Sequence, residues 1–387
     1  MNLGYIGTFS GYGPGISATE QLVLGIHSYL DGASGPLTID GEPVHCLTGD
    51  DQGDPATGVC EARRLIEGKG VPVLVFVAAS IVMEAVLEYA SSVHVPIAGT
   101  GGAVLPRFRP ADPWLFTART PYESHAAAFV DELVRQGVRR IALVSTLDAT
   151  GRSYAAGLRG KLAEWGLEPA AELLFARRDT DLHGVMRRLA DAEPELAVCT
   201  HFAPTSGALV RAAARLGLAV RWAFGPSASS PETARVAGHR AVEGALGQSS
   251  FEALSSDSST VAAFLADVRH GSPEAEVTSL TQLGYVTARA VVDAARRAQE
   301  WSGDEIRAAL ETLEADYGML PPFRLGPDEH LLNRGVQLLR FGGGGLQPLG
   351  PMRVVDPDTW DVRAMPVSMN GERPQVAGGG AGEAPSS

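Results

Sequence analysis

Two groups of residues in this sequence have types and spacing that could do chemistry. Gly4, Gly7, Gly11, Gly13 and Gly15 open the chain, and a glycine-rich turn at a helix start can cradle phosphate on its backbone amides. No Gly-Lys-Ser/Thr follows them and they do not form the dinucleotide pattern, so they read as a strand-to-helix turn rather than a nucleotide site. Asp50, Asp51 and Asp54 could hold a hard cation or exchange protons. Asp54-Pro55 is also an ordinary helix start, a capping carboxylate followed by proline in the first turn, and that reading is preferred. The nine histidines are scattered, without a His-Glu-x-x-His pair or a Cys/His cluster, which predicts no metal site. Cys46, Cys60 and Cys199 are odd in number; Cys46 and Cys60 could pair, but buried free thiols are the expectation. There is no Gly-x-Ser-x-Gly elbow, and Ser80 has no evident His or Asp partner, so no catalytic residue and no cofactor is assigned.

Non-covalent recognition suits the remaining polar residues better. Ser80 ends the run Val77-Ala-Ala-Ser80, where a strand passes into a helix, and its hydroxyl with the first-turn amides can receive a carboxylate or amide oxygen. Thr100 and Gly101 follow the next apolar run in the same way. Asp148 and Thr150 follow the run ending at Ser145, and His201 and Phe202 follow Cys199-Thr200, a polar edge beside an aromatic wall. A fifth loop, Gly225-Pro-Ser-Ala-Ser-Ser230, contributes Ser229 and has no acid until Glu232.

The elements that must position these loops come in two sets. Apolar runs at 3–8, 44–47, 71–77 and 95–98 alternate with helical patterns around 17–30, 56–68 and 80–91; a second series has runs at 140–145, 171–175, 196–200 and 220–224. Near-continuous apolar strands joined by helices require a parallel sheet covered on both faces. The fold class is therefore α/β, with two doubly wound parallel-sheet lobes and a ligand cleft between them at the carboxyl ends of the strands. The first lobe is read as 1–118 plus 252–325 and the second as 119–251 plus 326–345, with 241–251 an extended connection and strands near 321–325 and 336–341 completing the lobe edges. A C-terminal extension covers 346–363, and 364–387, rich in Gly, Pro, Ala and Ser, is expected to be disordered.

The 387 residues are enough for two cores. With 32 Lys plus Arg against 45 Asp plus Glu, the net charge of -13 argues against a nucleic-acid or anionic-membrane partner. No apolar stretch reaches the roughly 18 residues that span a bilayer. The opening Met1-Asn-Leu-Gly-Tyr-Ile-Gly enters the first strand without a secretory signal, so a cytoplasmic location is expected as written, and a periplasmic or cell-surface one if a native signal lies outside this sequence.

In the order and spacing of several motifs the chain resembles the type I periplasmic-binding-protein fold, specifically the leucine/isoleucine/valine-binding family, over residues 1–345. The motifs are Ile6-Gly-Thr-Phe-Ser-Gly11, Asp50-Asp-Gln-Gly-Asp-Pro55 leading to Ala62-Arg-Arg-Leu-Ile66, Ala79-Ser80, Pro96-Ile-Ala-Gly-Thr100 and Val242-Glu-Gly-Ala245. Cys60, Gln248-Ser-Ser-Phe251, Pro322-Phe-Arg-Leu325 with His330, and the extension from Pro351 to Trp360 make it more similar to the cytoplasmic amide sensors and the urea/short-chain-amide branch. The resemblance implies that Ser80 and Thr100 contact ligand from the first lobe. Asp148 and Thr150 stand in a second-lobe loop where the family commonly places an aromatic cover. With no acid in the loop 225–230, an α-amino acid is a secure ligand only if Asp148 pairs its ammonium.

The expected function is non-enzymatic binding of a small polar solute, a short-chain amide, urea-like compound or amino acid, by cleft closure. As a sensor it would hold or release a regulatory protein, with a homodimer plausible from the sensor resemblance. As the extracytoplasmic component of an ABC transporter it would present its closed form to a permease. A hydrolase or dehydrogenase on the same architecture is the third alternative.

Overall fold

The computed structural model describes residues 1–11, 13–108, 110–176, 181–343 and 345–365. The first series of elements is β1 (Asn2–Gly7), α1 (Gly13–Leu30), a small hairpin of β2 (Thr38–Ile39) and β3 (Glu42–Pro43), β4 (His45–Asp50), α2 (Pro55–Lys69), β5 (Leu74–Val77) and α3 (Ser80–Ser92). The second is α4 (Tyr122–Arg135), β6 (Ile141–Thr146), α5 (Ala149–Glu164), β7 (Ala171–Phe175), α6 (Leu182–Asp191), β8 (Leu196–Cys199), α7 (Ala203–Arg215), β9 (Arg221–Phe224), α8 (Pro231–Ala237), α9 (His239–Val242) and β10 (Leu246–Ser249). The chain continues through α10 (Ser259–Gly271), α11 (Ser279–Ala295), α12 (Gly303–Glu311), β11 (Glu314–Ala315), β12 (Phe323–Arg324), β13 (Gly335–Gly342), β14 (Gly345–Pro348), β15 (Arg353–Val355) and β16 (Val362–Ala364).

Two sheets result. The first has the order β4-β1-β5, all parallel, with Asn2 opposite His45 and Gly7 opposite Asp50. Isolated parallel bridges extend it from Leu74 to Ile97, Ile97 to Leu115 and Thr117 to Leu331. The second has the order β16-β15-β13-β10-β9-β8-β6-β7, with β14 also paired to β13. Its β7-β6-β8-β9-β10 part is parallel, while β13 to β16 are antiparallel additions, so the sheet is mixed rather than wholly parallel. β13 lies inside this sheet and not at an edge, and β12 pairs with β11. The residues read as a C-terminal extension supply β15 and β16, and Trp360 stacks over Gly160 of α5. The expected disordered tail lies, from 366 on, outside the described residues.

Each sheet has apolar clusters of its own. Leu3, Val75, Phe116, Phe251 and Val286 share one cluster and Ile6, Leu74, Val82 and Leu331 another, around the first sheet. Phe129, Leu143, Leu158 and Val336 pack on one side of the second sheet, and Val144, Cys199, Leu209 and Phe224 on the other. The chain thus crosses three times between the two bodies: near 118–121, near 249–251 and near 333–335. The third crossing falls later than the boundary at 325/326 read from the sequence, because Leu331 and Leu332 are still packed in first-lobe clusters and Thr117 bridges Leu331.

Local chemistry accounts for the element ends. Asp54 caps α2, its Oδ1 accepting the Thr57 N–H at 2.8 Å with Pro55 in the first turn, and Gly70 closes the helix at φ 63°. The Thr57 N–H holds the Asp54 carboxyl below its ordinary range. The neighbouring acids also serve turns: Asp50 Oδ1 accepts the N–H groups of Phe9, Ser10 and Gln52, and buried Asp51 accepts Thr8 Oγ1 at 2.7 Å and Gly53 N–H at 2.8 Å. The three cysteines are free thiols, as expected, but Cys60 is exposed on α2 rather than buried.

Candidate ligand-binding site

The carboxyl ends of strands from both sheets converge on one crevice, partly open to solvent. From the first lobe, β5 ends at Val77 and delivers Ala78 and Ser80, the first residue of α3; the next turn delivers Gly101. From the second, β6 delivers Thr146 and the first turn of α5 delivers Thr150, while the turn after β8 delivers Thr200 and Phe202. Ala18 and Leu22 of α1 and Leu280 of α11 form an apolar flank. The bodies approach closely here. A Cβ on Gly102 would lie 2.7 Å from Ser80 Cβ and 3.3 Å from Thr150 Oγ1, and one on Gly101 would lie 1.8 Å from the Ala78 carbonyl oxygen, so the turn needs glycine.

Ser80, Gly101, Thr150 and Phe202 therefore meet around one space. The other four expected residues do not line it. Thr100 is fully buried and bridged to Val77, with its Oγ1 accepting the Gly102 N–H at 3.2 Å, so it shapes the turn. Asp148 caps α5, its Oδ1 accepting from Gly151 N–H at 3.0 Å and Thr146 Oγ1 at 2.7 Å. His201 is fully buried, stacked on Phe175 at 5.2 Å, with Nδ1 accepting the Phe202 N–H at 2.9 Å. Ser229 borders an adjoining space at the cleft mouth, where its Oγ accepts the Gln248 N–H at 2.8 Å and donates toward the carbonyls of Phe224 and Gly225.

Sequence reasoning missed Arg119, Tyr122 and Ser227, all of which line the crevice. Arg119 lies on the first crossing and is buried; its Nη2 donates to Ser227 Oγ at 2.7 Å and its guanidinium lies over the Tyr122 ring at 5.2 Å. Tyr122 in turn donates to the Gly101 carbonyl at 3.1 Å, from one lobe to the other. The available signal was a cation between an apolar exit segment and a proline, Phe116-Thr-Ala-Arg119-Thr-Pro121. Nearby, burial and then the Arg119 charge push the His125 imidazole down to about 3, which keeps it neutral. Among the described residues no group of three His, Cys, Asp or Glu side chains is placed to hold a metal ion.

Two lobes, three crossings and a crevice between strand ends define a two-lobed solute-binding architecture. The chain belongs to the family of periplasmic binding proteins, whose family model matches residues 1–345. No curated protein matches it in sequence. Solved structures are similar in fold. A possible leucine/isoleucine/valine-binding protein from Rhodopirellula baltica SH 1 superposes with a TM-score of 0.82 at 19% identity, over 90% of this chain and 96% of that one. A solute-binding protein of an ABC transporter from Rhodopseudomonas palustris HaA2, in complex with p-hydroxybenzoic acid, gives 0.81 at 19% identity, covering 93% and 98%. A branched-chain amino acid ABC transporter protein from Thermus thermophilus with bound valine gives 0.80 at 20% identity, covering 91% and 96%. Among the described residues no helix is long and apolar enough to cross a membrane.

Proposed function

We propose that this protein is the extracytoplasmic solute-binding component of an ABC uptake system. One observation carries the reading: Ser80 and Gly101 of one lobe and Thr150 and Phe202 of the other border the same crevice. A solute touching both sets gains affinity only when the lobes close, so binding selects the closed form, which a permease can then recognise. Binding without turnover is supported by the lining itself: the carboxylate that meets one of its hydroxyls, Asp148 beside Thr146, is engaged in capping α5, and among the described residues no imidazole or thiol lines the crevice.

The family match and the two ABC-transporter structures favour this reading over the cytoplasmic amide sensor, which rests on sequence resemblance alone. Native mass spectrometry of freshly purified protein, a thermal-shift screen of amino acids, amides and small aromatic acids, and small-angle scattering with the best hit provide the test. The expected outcome is a raised melting temperature and a smaller radius of gyration with bound solute. If no small solute binds or stabilises, the reading is overturned.

A further inference from the structure

Arg119 is a buried cation with no carboxylate beside it among the described residues. It is 3% exposed, and among the described residues no carboxylate lies within 4.0 Å of its guanidinium. Among the described residues its nitrogens have one hydrogen-bond acceptor, the neutral hydroxyl of Ser227, and Nε is buried without any. Other arginines of this acidic chain, such as Arg107, Arg159, Arg307 and Arg353, are paired with carboxylates. An unpaired charge taken out of water is costly, and a protein keeps one where a ligand completes the pair. Arginine is suited to that task, because its fixed fork of N–H donors matches the two oxygens of a carboxylate.

The rest of the lining says what else the ligand carries. Ser80, Thr146, Thr150, Thr200 and Ser227 line it with hydroxyls, those of Thr146 and Thr200 hydrogen-bonded to Asp148 and Ser145, and Leu22, Tyr122, Phe202 and Leu280 add apolar surface, two of them aromatic. Among the described residues no Asp or Glu lines this space. Glu232 and Glu276 border the adjoining mouth, where Glu232 accepts from Ser17 Oγ at 3.2 Å and Glu276 is paired with Arg235. Asp148 is committed to the cap of α5. An α-ammonium group in the crevice would therefore meet a buried like charge and no counter-ion.

We propose that the ligand is a small organic acid without an amino group, its carboxylate held by Arg119 and its apolar body packed between Tyr122, Phe202, Leu22 and Leu280. This rests on the solute-binding reading above and goes further in excluding amino acids and neutral amides as preferred ligands. Arg119 is then the residue that sets specificity.

The test is calorimetric titration of the full chain with benzoate, 4-hydroxybenzoate and 4-methylpentanoate, with the amides of the same acids, and with leucine and valine. At least one acid is expected to bind roughly tenfold or more tighter than its own amide and than either amino acid. In Arg119→Gln that acid-to-amide ratio should fall toward one, and in Arg119→Lys, which keeps the charge but loses the fork, a preference for the acid should persist at weaker affinity. A merely structural arginine would change the affinities together and leave the ratio alone. An amide or an amino acid binding the wild-type protein as tightly as the acids overturns the inference while leaving solute binding intact, and that result is decisive even if Arg119→Gln does not fold. A panel in which nothing binds overturns both.

Discussion

His125 Nε2 lies 3.0 Å from Ser250 Oγ, and this contact joins the first helix of the second lobe to the second of the three crossings. The same Ser250 Oγ accepts the Thr120 N–H on the first crossing, and the Ser250 carbonyl accepts from Asn333 Nδ2 on the third. Thr120 Oγ1 donates to the Gly335 carbonyl, and Gln248 Nε2 donates to the His125 carbonyl. The hinge is thus a buried polar knot, with every strand that must flex tied to another. Such networks specify one geometry when their members are satisfied and are sensitive to the loss of any one.

Acid should loosen this knot. Burial and then the Arg119 charge hold the His125 imidazole down to about 3, against an unfolded-state value near 6.5. Below the unfolded value the unfolded chain takes up a proton that the folded hinge refuses, so stability falls as pH drops from about 6.5 toward 3 and is unaffected by this group above that window. The slope from one such histidine is about 1.4 kcal/mol per pH unit. Urea unfolding at pH 7.5 and pH 5 should show a larger loss in the wild type than in His125→Gln; equal losses would remove His125 from the account.

The helices that flank the crevice depend on two small residues. A Cβ at Gly25 of α1 would lie 2.0 Å from the Thr281 carbonyl oxygen of α11, and one at Gly284 would lie 2.1 Å from the Leu22 carbonyl oxygen. Helix propensity alone predicts that Gly25→Ala stabilises by about 1 kcal/mol. The close approach predicts the opposite sign, a loss of about 1–3 kcal/mol as the helices are forced apart. Because Leu22 and Leu280 line the crevice, ligand affinity should fall as well. Thermal unfolding and titration of the same variant read both effects.

Ser80 and Asp148 separate binding from scaffolding. Ser80 borders the crevice, so Ser80→Ala should weaken solute binding by about 1–3 kcal/mol. Asp148 is the cap of α5, so Asp148→Ala should lower stability by about 0.5–2 kcal/mol and affect affinity less. Calorimetry paired with thermal melts distinguishes them, and a reversed pattern would exchange their roles.

Much of this architecture is legible in the sequence because both sheets are buried on two faces, which writes strands as apolar runs. The segment 171–175 is a strand with those bounds, and the helix around 80–91 extends by one residue. The segment 95–98 forms only bridges, since Pro96 has no N–H to donate. The extended reading of 241–251 fails at its start, where α9 runs to Val242 and only Leu246–Ser249 is strand. In the site, the strand-end rule locates Ser80, Gly101, Thr150 and Phe202 because those turns emerge at the carboxyl edge whatever the details. It says nothing of where a side chain points once there, and Thr100, Asp148 and His201 turn inward to satisfy their own turns, caps and stacking. Arg119 was hidden for a different reason. Its neighbours Ser227 and Tyr122 are set by how the crossings fold back, which no local period encodes.

The mouth of the cleft is spanned by contacts that should slow ligand escape. Arg235 of α8 pairs with Glu276, just before α11, and Glu232 of the same helix accepts from Ser17 of α1 at 3.2 Å, so one second-lobe helix is clipped to two first-lobe elements. The Arg235–Glu276 pair is largely exposed, with side chains 59% and 39% accessible, and exposed pairs are worth about 0–1 kcal/mol and are screened by salt. Arg235→Gln should therefore speed solute release by no more than about fivefold while leaving the association rate almost unchanged. Raising ionic strength should accelerate release from the wild type toward the variant's rate and alter the variant less. Stopped-flow displacement at low and high salt measures both, and a release rate indifferent to salt in the wild type would show that the clip does not govern opening.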